Sequence, residues 1–415
     1  MLTYKDDKIN SYISFNWEEN WLGIHEDDQV FSNLQSSLTF RGSAIFKDKF
    51  ELEHEVKIFM CDSTYNLDTA STTGEFLHHP LLSNNFPQRG VDRSGSYKVE
   101  VQTDKALIKT DLWGFKIQTG RDRIQFKTGF RNSLLMSGLA RPIDIFYRID
   151  YKYSIIGYTA LAGQMTDSGK RYISLKRIYF QFADWFQLGG TEGVAYYDDP
   201  AAYINPMLFF YFVHRHRPTN EDNLIATYDI SVTPIKSLNI YFEFLNDDFI
   251  ISTGGASKYG LCAGFLKTGL FDEKFDIRAE YTQTRKWTYS HVSEVNAWEY
   301  RDFPLGFWLG TDADEFYARA GYIFSPTTTA SMNFNYLRNG EGRIDLPYEQ
   351  EGGDKTPPFP SGTVEKSTGG WLDIHHEFGK IEIRGRIGYR EIQNRHNVAG
   401  DFNSFFTHWG MSRIF

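Results

Sequence analysis

Again and again along this chain, charged residues alternate with aromatic or aliphatic ones at every second position, and few folds tolerate that pattern. Phe50, Leu52, Val56 and Ile58 share one face against Glu51, Glu53, Glu55 and Lys57. Phe275, Ile277, Ala279 and Tyr281 oppose Asp276, Arg278, Glu280 and Thr282. Ile381, Ile383, Ile387 and Tyr389 oppose Glu382, Arg384, Arg386 and Arg390. Successive side chains of a strand point to opposite faces, so a run of this kind has one wet face and one apolar face. A soluble β-sandwich shows the same period, but its buried face favours Val, Leu and Ile over rings. Here 17% of residues are aromatic, with 35 Phe, 25 Tyr and 9 Trp. The mean hydropathy is nonetheless −0.44. No run approaches the roughly 18 uncharged apolar residues of a membrane helix. Rings facing lipid, charges facing a wet lumen and aromatic girdles at two interfaces are the marks of a transmembrane antiparallel β-barrel, an all-β fold.

The strand pattern resumes unchanged after two long polar stretches, 61–96 and 338–370. Residues 1–415 therefore read as a single barrel with uneven loops and no domain boundary. The opening Met1-Leu2-Thr3-Tyr4-Lys5-Asp6-Asp7 has neither a basic nor an apolar leader region, which an exported protein requires. A trimmed or partial chain is the expectation. The last strand places Trp409, Met411 and Phe415 on one face and ends on an aromatic residue, similar to the C-terminal signature of outer-membrane barrels. Cys61 and Cys262 are too few for a disulfide framework or a metal cluster, and two unpaired thiols are expected. A net charge of −9 argues against a nucleic-acid partner, since phosphate contacts need a basic footprint.

Between Gly120 and Phe249 a series of segments carries a more specific signal. Gly120-Arg121-Asp122-Arg123 is followed by Gly129 and Leu134-Leu135-Met136-Ser137, then Arg171-Tyr172-Ile173-Ser174 and Glu192. Pro206, Asp222-Asn223-Leu224 and the strand end Asn246-Asp247-Asp248-Phe249 continue it, and Leu309-Gly310-Thr311-Asp312 lies downstream. In order and spacing this series resembles the Wzi family of capsule-assembly outer-membrane proteins, well over about 97–340 and loosely outside. The resemblance implies a monomeric barrel of about eighteen strands in a Gram-negative outer membrane. It implies a surface lectin that holds capsular or exopolysaccharide, with lipid around it and the barrel-assembly machinery as a partner during insertion. It also implies a lumen largely occluded by loops and by a helical periplasmic plug. No convincing amphipathic helical bundle is present near the N-terminus, so the state of the lumen stays open.

Several residues carry chemistry. Arg121, Arg123 and Arg131 with Asp122, and Asp247-Asp248 at a strand end, read either as a salt-bridge network bracing the lumen or as contacts for an acidic sugar. Arginine's planar fork suits both, because it pairs with carboxylates bidentately. Glu192, Asp198, Asp199, Asp247 and Asp248 could be imagined as a glycosidase pair, but only a fixed separation across one bond would make them one. No enzymatic role is expected. His214-Arg215-His216-Arg217 has two histidines without a third metal ligand nearby and reads as a basic rim that could meet an anionic glycan. Neither metal nor cofactor is expected. Lectin-like combinations of rings and charges occur at Phe359 with Lys355 and Glu365, and at Trp287, Tyr289 and Trp298 with Arg285 and Lys286. The same rings could instead belong to a lipid-interface girdle. The proposed contact set is Arg121, Arg123, Arg131, Glu192, Arg215, Arg217, Asp247 and Asp248. A porin-like channel for small anionic or sugar solutes is the alternative function; a hydrolase would need a catalytic geometry that these spacings do not reveal.

Overall fold

A computed structural model of the chain describes residues 2–5, 9–26, 29–47, 49–61, 98–126, 128–165, 170–216, 221–248, 256–300 and 303–415. The alternating segments form strands β1 (Leu2–Lys5), β2 (Ile9–Glu26), β3 (Gln29–Phe46), β4 (Phe50–Cys61), β5 (Lys98–Leu112) and β6 (Phe115–Asp122). Two short strands follow, β7 (Gln125–Phe126) and β8 (Met136–Ser137), then β9 (Ile143–Tyr153), β10 (Ile156–Met165), β11 (Arg171–Ala183) and β12 (Phe186–Tyr197). Next are β13 (Asn223–Ile235), β14 (Leu238–Asp248), β15 (Lys258–Leu270), β16 (Phe275–Thr284) and β17 (Ala313–Ser325). The series ends with β18 (Thr328–Asn339), β19 (Glu365–Phe378), β20 (Ile381–Gln393) and β21 (Asp401–Ile414). Two short helices, α1 (Phe210–His216) and α2 (Tyr348–Glu351), lie in connections.

Apart from the β7–β8 pair, all the strands join one antiparallel sheet, which closes where residues 16–26 of β2 pair with 404–414 of β21. β1 fills the β2 edge beyond the end of β21, at residues 10–13, so the wall has eighteen staves. Each of the eighteen staves pairs with a neighbour on both sides, a condition for crossing lipid with strands. Most staves exceed the roughly 9–11 residues that a tilted strand needs to span a bilayer.

Two-residue turns at 113–114, 154–155, 184–185, 236–237, 326–327 and 379–380 all lie at one rim, with the C-terminus. At 113–114 both residues have positive φ, 53° for Trp113 and 84° for Gly114, the geometry whose twist matches that of a hairpin's strands. The opposite rim carries the long connections 123–142, 198–222, 285–312 and 340–364. The expected polar stretch at 338–370 is therefore shorter, because β18 and β19 claim its ends; 62–97, nearly all of the other, lies outside the described residues.

The wall follows the alternation. Phe242, Phe316, Ile383, Ile387 and Trp409 point outward, uncovered by the chain, while Glu280, Thr282, Asn333 and Arg390 point inward and are buried. Trp409 and Met411 of the last strand are outward as well. The lumen is filled by loops, as the resemblance implies. The 123–142 and 285–312 connections fold inward from the long-loop rim and pack a hydrophobic core. It contains Leu134, Leu135, Tyr289, Trp298, Phe307 and Trp308 against the wall residues Ile173, Ile225 and Leu245. Tyr289 and Trp298 are thus neither a glycan platform nor a girdle; both are fully buried. The two inserts hold each other: Ser137 N donates to Leu305 O at 2.8 Å, Tyr289 Oη to Leu134 O at 2.5 Å and Trp298 Nε1 to Leu135 O at 2.7 Å. At Gly306 any Cβ would lie 2.1 Å from Leu134 O, so this close approach requires glycine. Cys262 is buried in the same core, where its Sγ accepts Thr282 Oγ1 at 3.4 Å, and the side chain of Cys61 lies outside the described residues.

Candidate functional site

The residues singled out in the sequence are distributed over three places. Arg131 stands in the lumen, its side chain 4% exposed, and binds Glu315 of β17, itself 0% exposed, through Nε at 2.8 Å and Nη2 at 2.5 Å. The same carboxylate receives Asn132 Nδ2 at 2.9 Å and Trp308 Nε1 at 3.3 Å, so Glu315 ties both inserts to the wall. Beside it Glu280 accepts the backbone N–H groups of Phe130, Arg131 and Asn132 at 2.9, 3.1 and 2.7 Å. Arg123 donates to the carbonyls of Leu139 and Ala140 at 3.2 and 3.0 Å and lies 3.4 Å from Asp104. Asp247 accepts Tyr289 N at 2.7 Å and so fixes the second insert. Arg121 pairs with Asp144 at 2.9 Å on the opposite face of the wall from the neighbouring Leu107–Gly120 pair. Asp248 lies in β14 opposite Lys258, and Asp122 caps Arg123 N at 2.8 Å.

Glu192 is on the outer wall. Its neighbours Thr191 and Gly193 face the lumen, where a Cβ on Gly193 would strike Trp298. Outward, it stands directly opposite Lys176 of β11. The 198–222 connection folds down over both. Glu192 accepts Phe210 N at 2.9 Å, Lys176 Nζ donates to Leu208 O, and the ammonium sits 3.9 Å from the Phe210 ring centre. Tyr203 and Phe210 pack there against Tyr172, Val194 and Tyr196. Met207 and Phe212, 79% and 61% exposed, face away from the barrel. His214, Arg215 and His216 end the short helix α1, and Arg215 is exposed with Nη1 3.0 Å from Tyr211 Oη. Arg217 lies outside the described residues. Glu192 and Asp247 stand on opposite faces of the wall, so they cannot flank one glycosidic bond.

A third group meets at the long-loop rim. Ser257, Tyr259, Arg285, Lys286 and Trp287 face Lys355 to Phe359 across a cavity of about 240 Å³. The Arg285 guanidinium lies 4.7 Å from the Phe359 ring centre and 6.0 Å from that of Tyr259, and Arg338 approaches Phe359 from 5.7 Å. Cations over ring faces at such distances attract them, more so when water is excluded. The 340–364 loop is clamped in place. Asp312 receives Ser361 Oγ at 2.6 Å and Gly342 N at 3.1 Å, while Glu351 receives Lys286 Nζ at 2.7 Å and Trp287 Nε1 at 2.6 Å. Burial pushes the Asp312 carboxyl above its ordinary value, against these hydrogen bonds. The sequence placed Phe359 with Lys355 and Glu365. The structure keeps the first two, joins them to Arg285, Lys286 and Trp287, and buries Glu365, which accepts His396 N at 2.6 Å. Asp312, Glu280, Glu315 and Lys176 were not among the site residues read from the sequence: Asp312 stood only in the family series and Glu280 only in an alternating strand, where each looks like one more charge.

The rim pocket and filled lumen can be set beside known proteins. The family model for capsule assembly protein Wzi matches residues 24–405. A solved structure of Wzi from Escherichia coli, described as a carbohydrate-binding β-barrel outer-membrane protein involved in group 1 capsule assembly, superposes with a TM-score of 0.63 at 12% identity. That match covers 95% of this chain and 83% of the other. OccK5 from Pseudomonas aeruginosa and OccAB4 from Acinetobacter baumannii each give a TM-score of 0.53 at 9% identity, covering 98% of both chains. At such identities the likeness speaks for the fold alone. A comparison with curated proteins found no match. With the family model spanning almost the whole chain, this eighteen-stranded β-barrel belongs to the Wzi family of capsule assembly proteins.

Proposed function

We propose that the chain is a non-enzymatic surface lectin of the outer membrane, holding an acidic capsular or exopolysaccharide through the long-loop rim. One observation carries this reading: three cations, Arg285, Lys286 and Lys355, meet the rings of Phe359 and Tyr259 in one clamped pocket at that rim. Rings stack on the apolar face of a sugar, and cations bind its carboxylate. Long loops of bacterial barrels are extracellular, which would set the pocket toward the capsule. The barrel acts as a monomer embedded in lipid, after insertion by the barrel-assembly machinery. Exposed Arg215 adds a cation on α1, apart from the pocket, whereas Arg131 and Asp247 serve by holding the inserts.

Retention of the host's acidic polysaccharide by detergent-folded protein tests the pocket. Lys355→Gln and Phe359→Ala should each weaken it by about tenfold, the worth of one charge-assisted hydrogen bond or one well-placed ring. Both side chains lie on a loop, so folding should be unchanged, as heat-modifiable gel mobility would report. Unchanged retention in both variants would remove the pocket from the account.

The porin-like reading draws support from the shared architecture of the OccK5 and OccAB4 barrels. The packed core that fills the lumen between the inserts and the wall weighs against it.

A further inference from the structure

Beneath the inserts, on the short-turn side, the lumen contains a second cavity of about 660 Å³, within the size range of small-ligand sites. Its lining includes six arginines and a single carboxylate, Asp373. Five of the six have an acidic partner: Arg131 with Glu315, Arg123 with Asp104, Arg319 with Asp276, Arg384 with Glu18 and Arg386 with Asp373. All of these acids but Asp373 stand outside the cavity lining, so guanidinium groups form the inner surface. Arg278 has no carboxylate within ion-pair distance among the described residues. Its Nε is buried without a hydrogen-bond partner, and so is Nε2 of His408, another lining residue.

The register sharpens this. Arg278 of β16 stands directly opposite Arg319 of β17. Like charges facing each other across two strands destabilise a sheet, and the one carboxylate nearby, Asp276, lies 3.3 Å from Arg319. An anion between the two guanidinium groups would remove that repulsion, and the planar forks suit a carboxylate or phosphate. The rest of the lining is not that of a bare anion hole. Phe130 and Tyr317 offer ring edges and faces, and Gln125 and His375 offer groups for hydroxyls. We propose that this chamber is a binding site for an anionic sugar, one or two units carrying a carboxylate or phosphate, held between Arg278 and Arg319. The chamber is separated by the packed inserts from the rim pocket, and its occupation does not depend on the function proposed for that pocket.

Calorimetric titration of the detergent-folded full chain tests this with glucuronate, glucose 1-phosphate, glucose and inorganic phosphate. Glucuronate or glucose 1-phosphate, whichever charge the site prefers, should bind and raise the unfolding temperature. Glucose and inorganic phosphate should bind at least about tenfold more weakly, since each lacks one half of the recognition. Arg278→Gln should weaken the sugar about tenfold by deleting one charge-assisted contact, while raising the unfolding temperature of the ligand-free protein by removing the repulsion. A merely structural arginine would not give that opposed pair of effects. Lys355→Gln at the rim should leave the titration unchanged. No binding of either anionic sugar, equal binding of glucose or of inorganic phosphate, or an unaltered titration in Arg278→Gln would each overturn the proposal.

Discussion

Replacing Arg131 by methionine should destabilise the folded barrel by about 3–5 kcal/mol, because it leaves Glu315 as an uncompensated buried charge. Both side chains are almost wholly enclosed, and their bidentate contact is the point where the first insert joins the wall. Asn132 and Trp308 would still donate to Glu315, but neither supplies a positive charge. The pair itself need not add much net stability, since desolvating two ions can cost as much as their attraction returns. Arg131→Met combined with Glu315→Leu should therefore recover most of the loss. Unfolding of the detergent-folded protein by urea, followed by tryptophan fluorescence, reads both effects. Single-channel recording reads a second consequence: the single variant should pass ions through a loosened lumen, and the double variant should pass fewer. A single variant as stable as the parent would show that the inserts are held without this ion pair.

The second large effect is expected on the opposite face of the wall. A charged side chain on the lipid side of a barrel costs about 2–4 kcal/mol near the bilayer midplane. Lys176 and Glu192 avoid that cost by facing each other under the 198–222 connection, which gives the ammonium a carbonyl and a ring and gives the carboxylate the Phe210 N–H. Glu192→Ala removes the countercharge and the anchor of α1 together. It should destabilise the barrel in vesicles by roughly that amount and make the connection susceptible to protease. Lys176→Met with Glu192→Leu should restore stability while leaving α1 less firmly held. If Glu192→Ala changes neither stability nor cleavage, the segment does not shield these charges from lipid.

The architecture was legible from the alternation because a barrel wall repeats one rule at every stave: rings out, charges in. Outward Phe242 and Trp409 and inward Glu280 and Asn333 obey it, and the strand count implied by the family resemblance agrees with the closed sheet. That loops occlude the lumen was implied by the resemblance, but which segments do so was not legible from the residues. Leu134, Leu135 and Met136 carry no helical period, so the sequence offered no sign that an irregular segment would become a core; its burial depends on meeting Trp298 and Phe307 from more than 150 residues away. Glu192 illustrates a second limit. Parity along β12 places it outward, but only the fold of 198–222 shows that an outward charge is covered. The rim pocket was half visible: Lys355 with Phe359, and Arg285 with Trp287, were noticed as separate clusters, and the clamp at Asp312 that joins them is a tertiary contact.

The most direct test of the lectin reading measures two properties in one preparation: binding of the host's own acidic polysaccharide to detergent-folded protein over a salt series, and ion conductance in planar bilayers. The account predicts binding that weakens as salt rises, because ionic screening acts on the basic rim, together with little or no steady conductance through the filled lumen. Absent binding beside a stable, open conductance would contradict it and make the barrel a diffusion channel that shares only its fold with a lectin.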